Sequence, residues 1–217
     1  LMCFNISIVS SIATIEQQFN AEFHADFDFM PQKHISAFTN PQIPVITSED
    51  TEVIQSLHWG LIPHWVKDQD QADTIRRGTY NARSETVREK PSFRSSIEKN
   101  KCLVIANGFY EWQTTSSGKV CHYITRPGDN LFAFAGIWSG WIHTTTGKLM
   151  KSVSILTQSA NKMMAEIHNI KKRQPVILHE EHQKDWMDSG LEFGHILEDS
   201  FAIELSSKIV KSPLKRS

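Results

Sequence analysis

The chain has 217 residues, of which 40% are hydrophobic and 22% charged, and its formal net charge at pH 7 is −1. This composition is ordinary for a folded globular protein of one fairly large domain or two small ones. A net charge this close to zero does not indicate a nucleic-acid partner, so any DNA binding must come from a local basic surface.

The cysteine spacing and the lengths of the apolar runs indicate the compartment in which the protein works. Cys3, Cys102 and Cys121 form no CxxC pair and have no histidine partner at zinc-finger spacing. This argues against a disulfide scaffold or a structural zinc site and suits a reducing cytosol. No apolar run is long enough to span a bilayer, and the opening residues lack the basic n-region of a signal peptide. We therefore expect a cytoplasmic protein without a membrane segment.

The apolar pattern predicts many strands and few helices. A short strand is predicted over residues 3–9, an amphipathic helix over 12–23, and loops with strands over 31–63. Further strands are predicted at 102–106, 120–125, 131–138, 152–157 and 175–178, with short helices at 161–167 and 182–187. This order favours an α+β fold, with residues 1–217 forming one domain and a frayed basic tail over 208–217.

Cys3 is the first candidate for chemistry because it directly follows Met2. Once the preceding residues are removed, its α-amine and thiol lie on adjacent carbons, with ordinary pKa values of about 8 and 8.5. Such a pair reacts with an aldehyde to give a Schiff base and then a five-membered thiazolidine ring. The alternative is a small hydrophobic residue that starts a strand. Leu1 precedes Met2, and the amine stays blocked while it remains attached.

The YNARSET motif, residues 80–86, lies in a locally basic stretch. From Arg76 to Lys101 the chain has eight Lys or Arg residues and three Glu residues, a local excess of five positive charges. Arginine matches phosphate oxygens with its planar fork, and asparagine both donates and accepts hydrogen bonds. We therefore predict DNA contacts for Arg76, Arg77 and Arg83, with a solvated, charge-rich loop as the alternative.

Glu111 is a lone carboxylate in the GFYEW motif, residues 108–112. If its side chain points inward, the aromatic setting would raise its pKa and suit it to general acid–base catalysis. If the strand alternates the other way, Glu111 is an ordinary surface carboxylate. The sequence leaves both orientations open.

Two histidine patterns follow further along the chain. His168, in IHNIKKRQPVIL (167–178), lies at the end of a predicted helix, where a histidine can shuttle protons near neutral pH. The alternative is a structural role, which is the usual one for a single histidine among ten. The HEEH sequence at 179–182 lacks the HExxH spacing of a zinc site. We therefore predict no metal there and no cofactor.

WGLIPHW, residues 59–65, places two tryptophans around a glycine and a proline. Indole rings can stack on a splayed base of single-stranded DNA or RNA. The alternative is a corner of the hydrophobic core.

Taken together and in this order, Cys3 and the four motifs resemble the SRAP family of SOS-response-associated peptidase-like proteins over most of the chain. The resemblance implies a single compact α+β domain around a curved, barrel-like mixed or antiparallel sheet. It also implies covalent capture of abasic sites in single-stranded DNA, as part of the DNA damage response. We expect a monomer that needs no cofactor and that lies in the cytoplasm, associated with the nucleoid when bound to damaged DNA.

The resemblance implies a role for each matched residue. Cys3 looks like the residue that forms a thiazolidine with the ring-opened sugar aldehyde, and Asn81 like the side chain that holds its amine and the lesion. Glu111 resembles the acid–base residue for removing the leading methionine and for Schiff-base chemistry. His168 looks like the proton donor that opens the sugar ring. The matched DNA-binding residues are a phosphate clamp and a single-strand groove: Arg83, Pro63, Trp65 and Pro41.

The chain departs from the family pattern at three places. The family commonly opens Cys-Gly-Arg, whereas Phe4 and Asn5 follow the cysteine here. The usual Tyr-Asn-x-Ala-Pro segment keeps only its proline, at residues 37–41, and Lys171 and Lys172 are additional in the histidine motif. These changes concern strand affinity and base preference more than the core chemistry.

Two other functions remain open from the sequence. One is a cysteine hydrolase in which His168 activates Cys3 for cleavage of peptides. A nucleophile so near the start of the chain fits removal of a leading residue better than cleavage of foreign peptides. The other is a non-catalytic single-strand binding module that uses Trp59, Trp65 and the basic stretch.

Overall fold

A computed structural model of the chain describes residues 3–128 and 131–214. Its strands are β1 (Asn5–Ile8), β2 (Glu22–Phe23), β3 (Gln32–Ser36), β4 (Gln42–Thr47), β5 (Asp50–Trp59), β6 (Asn81–Arg83), β7 (Lys101–Ala106), β8 (Gly108–Thr115), β9 (Gly118–Thr125), β10 (Phe132–Ile142), β11 (Leu149–Ser159), β12 (Arg173–Pro175), β13 (Ile177–Leu178) and β14 (Ser206–Val210). Its helices are α1 (Ile12–Phe19), α2 (Gln69–Arg76), α3 (Arg94–Lys99), α4 (Lys162–Ile167), α5 (Gln183–Met187) and α6 (Gly194–Ala202), with 3-10 turns at Ala37–Thr39 and Glu180–His182.

Five strands close into a barrel. β11, β10, β7, β4 and β5 are antiparallel neighbours in that order, and β5 returns to β11 through the parallel pairs Ser152 with His58 and Val153 with Trp59. β7 is buried at every position, because both of its faces are covered by the rest of the protein. The predicted α+β fold around a curved, barrel-like sheet is therefore confirmed.

A second sheet lies outside the barrel and carries the residues expected to do chemistry. Its strand order is β14–β9–β8–β1–β3, so β1, which begins just after Cys3, pairs directly with β8, which contains Glu111. β6 attaches the YNARSET motif to the barrel, because Asn81 pairs with Ile155 of β11. The sheet order thus brings together motifs that are far apart in the sequence.

Two helix ends are set by asparagine residues. The first helix was predicted to reach residue 23, but α1 ends at Phe19 because Asn20 adopts the left-handed conformation with φ 48° and caps the helix. α4 begins at Asn161, whose side chain accepts a hydrogen bond from the Met164 N–H at 2.9 Å. No helix in the described ranges is long and apolar enough to cross a membrane.

The C-terminal segment is more ordered than predicted. Fraying was expected from Lys208, but β14 extends to Val210 as an edge strand paired with β9. Backbone hydrogen bonds to β9 hold this segment in place. Side-chain burial contributes little, since Ile209 is 73% exposed. Residues 215–217 of the predicted tail lie outside the described ranges. The sequence analysis made no prediction for α2, α3 and α6.

Candidate active site

Cys3 and Glu111 form a direct contact in the protein interior. The backbone N–H of Cys3 donates to Glu111 Oε1 at 2.6 Å, and both residues are buried, with 1% and 4% of their surface exposed. The pairing of β1 with β8 brings them together, and on β8 Phe109 and Glu111 face inward while Tyr110 and Trp112 are half-buried. Of the two orientations left open by the sequence, the structure has the inward one.

Burial gives Glu111 a pKa suited to proton transfer. Loss of solvent raises this pKa to about 7, and the hydrogen bond from the Cys3 N–H partly opposes the rise because it stabilises the carboxylate. A carboxyl group with a pKa near ambient pH can both give and take a proton. The nitrogen it contacts is the atom that becomes the α-amine of Cys3 when the preceding residues are removed.

The Cys3 thiol is not preactivated. Burial raises its pKa well above the ordinary value, and the negative charge of Glu111 adds to the rise. A solvated cysteine has a small ionised fraction at neutral pH, and burial lowers that fraction for Cys3. The thiol is a neutral group that needs a proton acceptor, or an activated partner, before it reacts.

Asn81 and His168 approach the same place from other elements. Asn81 Nδ2 donates to the Cys3 carbonyl oxygen at 3.4 Å. His168 caps the C-terminus of α4 and is buried, and its Nδ1 lies 3.1 Å from the carbonyl oxygen and 3.2 Å from the N–H of Arg173. His168 and Glu111 line one cavity of about 260 Å³. Cys3 thus contacts Glu111 and Asn81, and Glu111 lines the same cavity as His168.

Arg173 is a site residue that the sequence did not single out. Its guanidinium makes a bidentate ion pair with Glu85, and Nη2 donates to the Thr157 carbonyl oxygen at 2.7 Å. Because its backbone also holds His168, this pair joins the YNARSET motif to the histidine motif. Residues 85 and 173 are far apart in the sequence, so only their opposite charges could have indicated the contact.

We expect Glu85→Gln to destabilise the protein by about 1–3 kcal/mol, because it leaves a buried guanidinium without its counter-charge. Burial alone would raise the pKa of Glu85, but the hydrogen bonds and charge of Arg173 outweigh it, and the pKa is lowered. The stabilisation is therefore present above the ordinary pKa of a glutamate and is lost as pH falls through the lower folded-state value. Urea unfolding at pH 7 and in acid measures both effects.

Glu89→Gln is the matched control, since Glu89 is an exposed residue of the same segment. Its unfolding midpoint should stay at the wild-type value. Equal unfolding midpoints for Glu85→Gln and wild type at pH 7 would contradict a stabilising role of the ion pair between Arg173 and Glu85.

An aromatic cluster forms one wall of the site. Phe4 lies 5.0 Å from Phe38 and 5.7 Å from Tyr80, measured between ring centroids, and Phe38 lies 5.7 Å from Tyr80. Phe4 and Phe38 also line the cavity, and the Phe38 side chain is 54% exposed. These two rings stand at the positions where the sequence departs from the family pattern, so they give this chain an apolar wall there.

The predicted DNA-binding residues divide into exposed and buried ones. Arg83 is exposed and lines a groove of about 560 Å³ beside Asn81. Trp65 is 42% exposed, and its Nε1 donates to the carbonyl oxygen of Pro91, which lines the same groove. Pro41 is half-buried, whereas Pro63 is buried. Arg83 thus lies in this groove, and Trp65 is exposed next to it.

Two other candidates for DNA contact, Arg76 and Trp59, are buried. Arg77 is exposed, but Arg76 is 7% exposed and its Nη2 contacts Met150 Sδ at 3.4 Å. This burial argues against the expected DNA contact of Arg76. Trp59 is fully buried and donates from Nε1 to the Tyr80 carbonyl oxygen at 3.0 Å, so it is a core residue and not a stacking surface.

Comparison with known proteins finds a matching sequence family and several relatives. A sequence model of the SOS response associated peptidase (SRAP) family matches residues 2–210. "Abasic site processing protein YoqW" of Bacillus subtilis is 33% identical over 195 residues, which cover 86% of this chain and 80% of that protein. "Abasic site processing protein YoaM" of the same organism is 31% identical over 227 residues, covering 100% of this chain and 96% of that protein.

Vertebrate and structural relatives extend the comparison. "Abasic site processing protein HMCES" of Xenopus tropicalis is 33% identical over 157 residues, covering 64% of this chain and 46% of that protein. A crystal structure of a protein from Bacteroides thetaiotaomicron superposes with a TM-score of 0.88 at 30% identity, covering 96% of this chain and 92% of the other. A protein from Bordetella bronchiseptica has the same fold, with a TM-score of 0.78 at 21% identity and coverage of 97% and 100%.

Proposed function

The chain belongs to the SOS response associated peptidase (SRAP) family, and we propose that it captures abasic sites in single-stranded DNA through a covalent bond to Cys3. The names of its relatives support abasic-site processing in general. The observation that carries the covalent mechanism is the 2.6 Å hydrogen bond from the Cys3 nitrogen to the buried carboxyl of Glu111, beside a cavity open to a ligand.

The first step frees the amine of Cys3. Water adds to the carbonyl carbon of Met2, the bond from that carbon to the Cys3 nitrogen breaks, and the nitrogen leaves as an amine. Glu111 supplies the proton to this nitrogen, since its carboxyl oxygen already contacts it and its pKa is about 7. Asn81 holds the Cys3 carbonyl oxygen while the bond on the other side of the residue breaks.

The second step captures the lesion. His168 donates a proton to the sugar ring oxygen as the ring opens, the anomeric hydroxyl loses its proton to solvent, and an aldehyde forms. The Cys3 amine adds to this aldehyde, and loss of water, protonated by Glu111, gives a Schiff base. The thiol sulfur then adds to the C=N carbon while its proton moves to the nitrogen. One water is released, and no oxidant, reductant or cofactor takes part.

The raised thiol pKa favours this sequence over peptide hydrolysis. A hydrolase of the Cys–His type attacks with a thiolate, whereas burial and Glu111 keep the Cys3 thiol protonated. In thiazolidine formation the amine attacks first, and the thiol meets a Schiff-base carbon that is already electrophilic. The neutral thiol is therefore compatible with lesion capture.

The proposal is tested with protein shown by mass spectrometry to begin at Cys3. This protein is mixed with a single-stranded oligonucleotide carrying one abasic site, with the intact oligonucleotide, and with one whose abasic aldehyde has been reduced to an alcohol. We expect a slow-migrating species on a denaturing gel with the aldehyde alone. Equal binding to all three without such a species would favour a non-covalent binding module, and turnover of unrelated peptides without it would favour a hydrolase.

Arg83→Ala should weaken binding to intact single-stranded DNA and lower the slope of log affinity against log salt concentration by about 0.7, the value for one phosphate contact. The reason is that Arg83 is exposed in the groove beside Asn81. Fluorescence anisotropy at several salt concentrations measures both quantities. Lys148→Ala, an exposed cation at the turn between β10 and β11, is the control. An unchanged slope for Arg83→Ala would refute the phosphate contact.

A further inference from the structure

A cluster of histidines and carboxylates lies on α5 and α6, formed by residues that the proposed reaction does not use. His182, which immediately precedes α5, Asp185 on α5 and His195 in the first turn of α6 place their ligand atoms within 4.8 Å of one another. The His182 and His195 rings are 5.7 Å apart between centroids, and the His179 ring is 6.1 Å from that of His182. Among the described residues, these three side chains are close enough together to share one metal ion.

We propose that His182, Asp185 and His195 form a binding site for a divalent late first-row transition metal such as Zn²⁺ or Co²⁺. Two imidazoles and a carboxylate are the ligands these ions prefer, whereas Mg²⁺ and Ca²⁺ prefer sites made of oxygen alone. The fourth position of a tetrahedral ion would be taken by water. The proposal concerns a second site and does not depend on the reaction at Cys3.

The surroundings of His182 fit this assignment. One of its ring nitrogens, Nε2, lies 2.9 Å from Asp199 Oδ2. A metal-bound imidazole usually bonds to a carboxylate or carbonyl oxygen through its second nitrogen, which fixes the orientation of the ring. Asp199 lies one helical turn after His195 on α6, so it reaches the same face of that helix. Asp199 would supply this orienting contact, and Nδ1 of His182 would then be the atom that binds the metal.

The ligands must close by a small amount. For metal–nitrogen bonds of about 2.0–2.1 Å, neighbouring ligand atoms of a tetrahedral ion are separated by roughly 3.3 Å. The present separations are no larger than 4.8 Å, and His195 is exposed while His182 and Asp185 are half-buried. The proposal expects this closure to come from rotation of the exposed His195 side chain.

The site also explains why the HEEH sequence was not informative. We predicted no metal from it because its two histidines, at 179 and 182, lack the spacing of a zinc motif. The second imidazole of the proposed site comes instead from α6, after an intervening loop. Metal binding would thus tie two helices together, and α5 is already anchored to the barrel because Trp186 Nε1 donates to the Cys102 carbonyl oxygen at 3.0 Å.

The test uses the full chain without an affinity tag, freed of metal by a chelator and titrated with Zn²⁺ in a calorimeter and with Co²⁺ in a spectrophotometer. We expect one equivalent to bind, visible d–d absorption typical of tetrahedral Co²⁺, and a rise in melting temperature. Mg²⁺ should give none of these signals. His195→Ala should abolish one-equivalent binding, and Asp199→Asn should weaken it about tenfold.

Controls separate this site from other ligands in the chain. His64→Ala removes an exposed histidine elsewhere and should bind Zn²⁺ as the wild type does. The metal-free melting temperature of each variant shows that it folds. The proposal is overturned if no one-equivalent binding occurs, if His195→Ala binds as tightly as wild type, or if Cys3→Ala alone removes the binding.

Discussion

Cys3→Ala is expected to abolish the heat-stable adduct with abasic single-stranded DNA while leaving affinity for intact DNA unchanged. Alanine keeps the α-amine once the preceding residues are removed, but without a sulfur the Schiff base cannot close to a thiazolidine. The side chain is small and its backbone N–H can still donate to Glu111, so the site keeps its shape. A denaturing gel after heating, together with anisotropy on the intact strand, measures both outcomes.

Chemical trapping makes this prediction more specific. Borohydride adds a hydride to a Schiff base and turns it into a stable amine bond, so it should restore a covalent species with Cys3→Ala. Cys121→Ala is the matched control, since Cys121 is another buried cysteine whose pKa burial raises, to about 11. Its adduct should equal that of the wild type. A heat-stable adduct of Cys3→Ala without borohydride would mean that another group in the protein holds the lesion.

The sequence indicated features that depend on local position. Cys3 was a candidate because it follows Met2, and the helix that His168 caps was predicted from the apolar pattern before it. The α+β class followed from the number and spacing of apolar strands, and closure of the barrel from the family resemblance. In each case the sequence pattern that supports the prediction lies within about ten residues of the predicted element, or is the order of several such patterns along the chain.

Long-range contacts were outside the reach of the sequence. The inward orientation of Glu111 depends on the pairing of β8 with β1, and a shift of one residue would turn the carboxyl to the other face. The burial of Arg76 is set by Gly60, whose backbone has φ +112° and whose missing side chain leaves room for the arginine. A Cβ atom there would lie 2.3 Å from Arg76 Cγ. A basic stretch in the sequence therefore need not be a basic surface.

The pKa of the Cys3 thiol illustrates the same limit. The ordinary value of about 8.5 applies to a solvated cysteine, whereas burial and the charge of Glu111 raise the pKa here. The same burial raises the pKa of Glu111 towards neutrality. Both pKa shifts thus arise from packing of the sheet, and in the proposed mechanism the carboxyl and not the thiol transfers the proton.

Glu111→Gln is expected to slow both removal of the leading residues and adduct formation by about 10²- to 10⁴-fold, the usual contribution of a general acid–base group. Glutamine has nearly the same shape, and its side-chain oxygen can still accept the Cys3 N–H, but it cannot transfer a proton. The wild-type rate should change with an inflection near pH 7, where the carboxyl titrates. This inflection should be absent from the variant. Rates come from timed gels across a pH series.

Stability provides a readout that separates loss of catalysis from loss of fold. Because burial raises the pKa of Glu111 above the ordinary value, its contribution to stability is full below that value and is lost as pH rises through about 7. Glutamine stays neutral, so the variant should unfold at a higher urea concentration than wild type at pH 8. Glu52→Gln, on an exposed position of β5, should change neither rate nor stability. A stable Glu111→Gln variant with the wild-type rate would show that proton transfer at Cys3 uses another group.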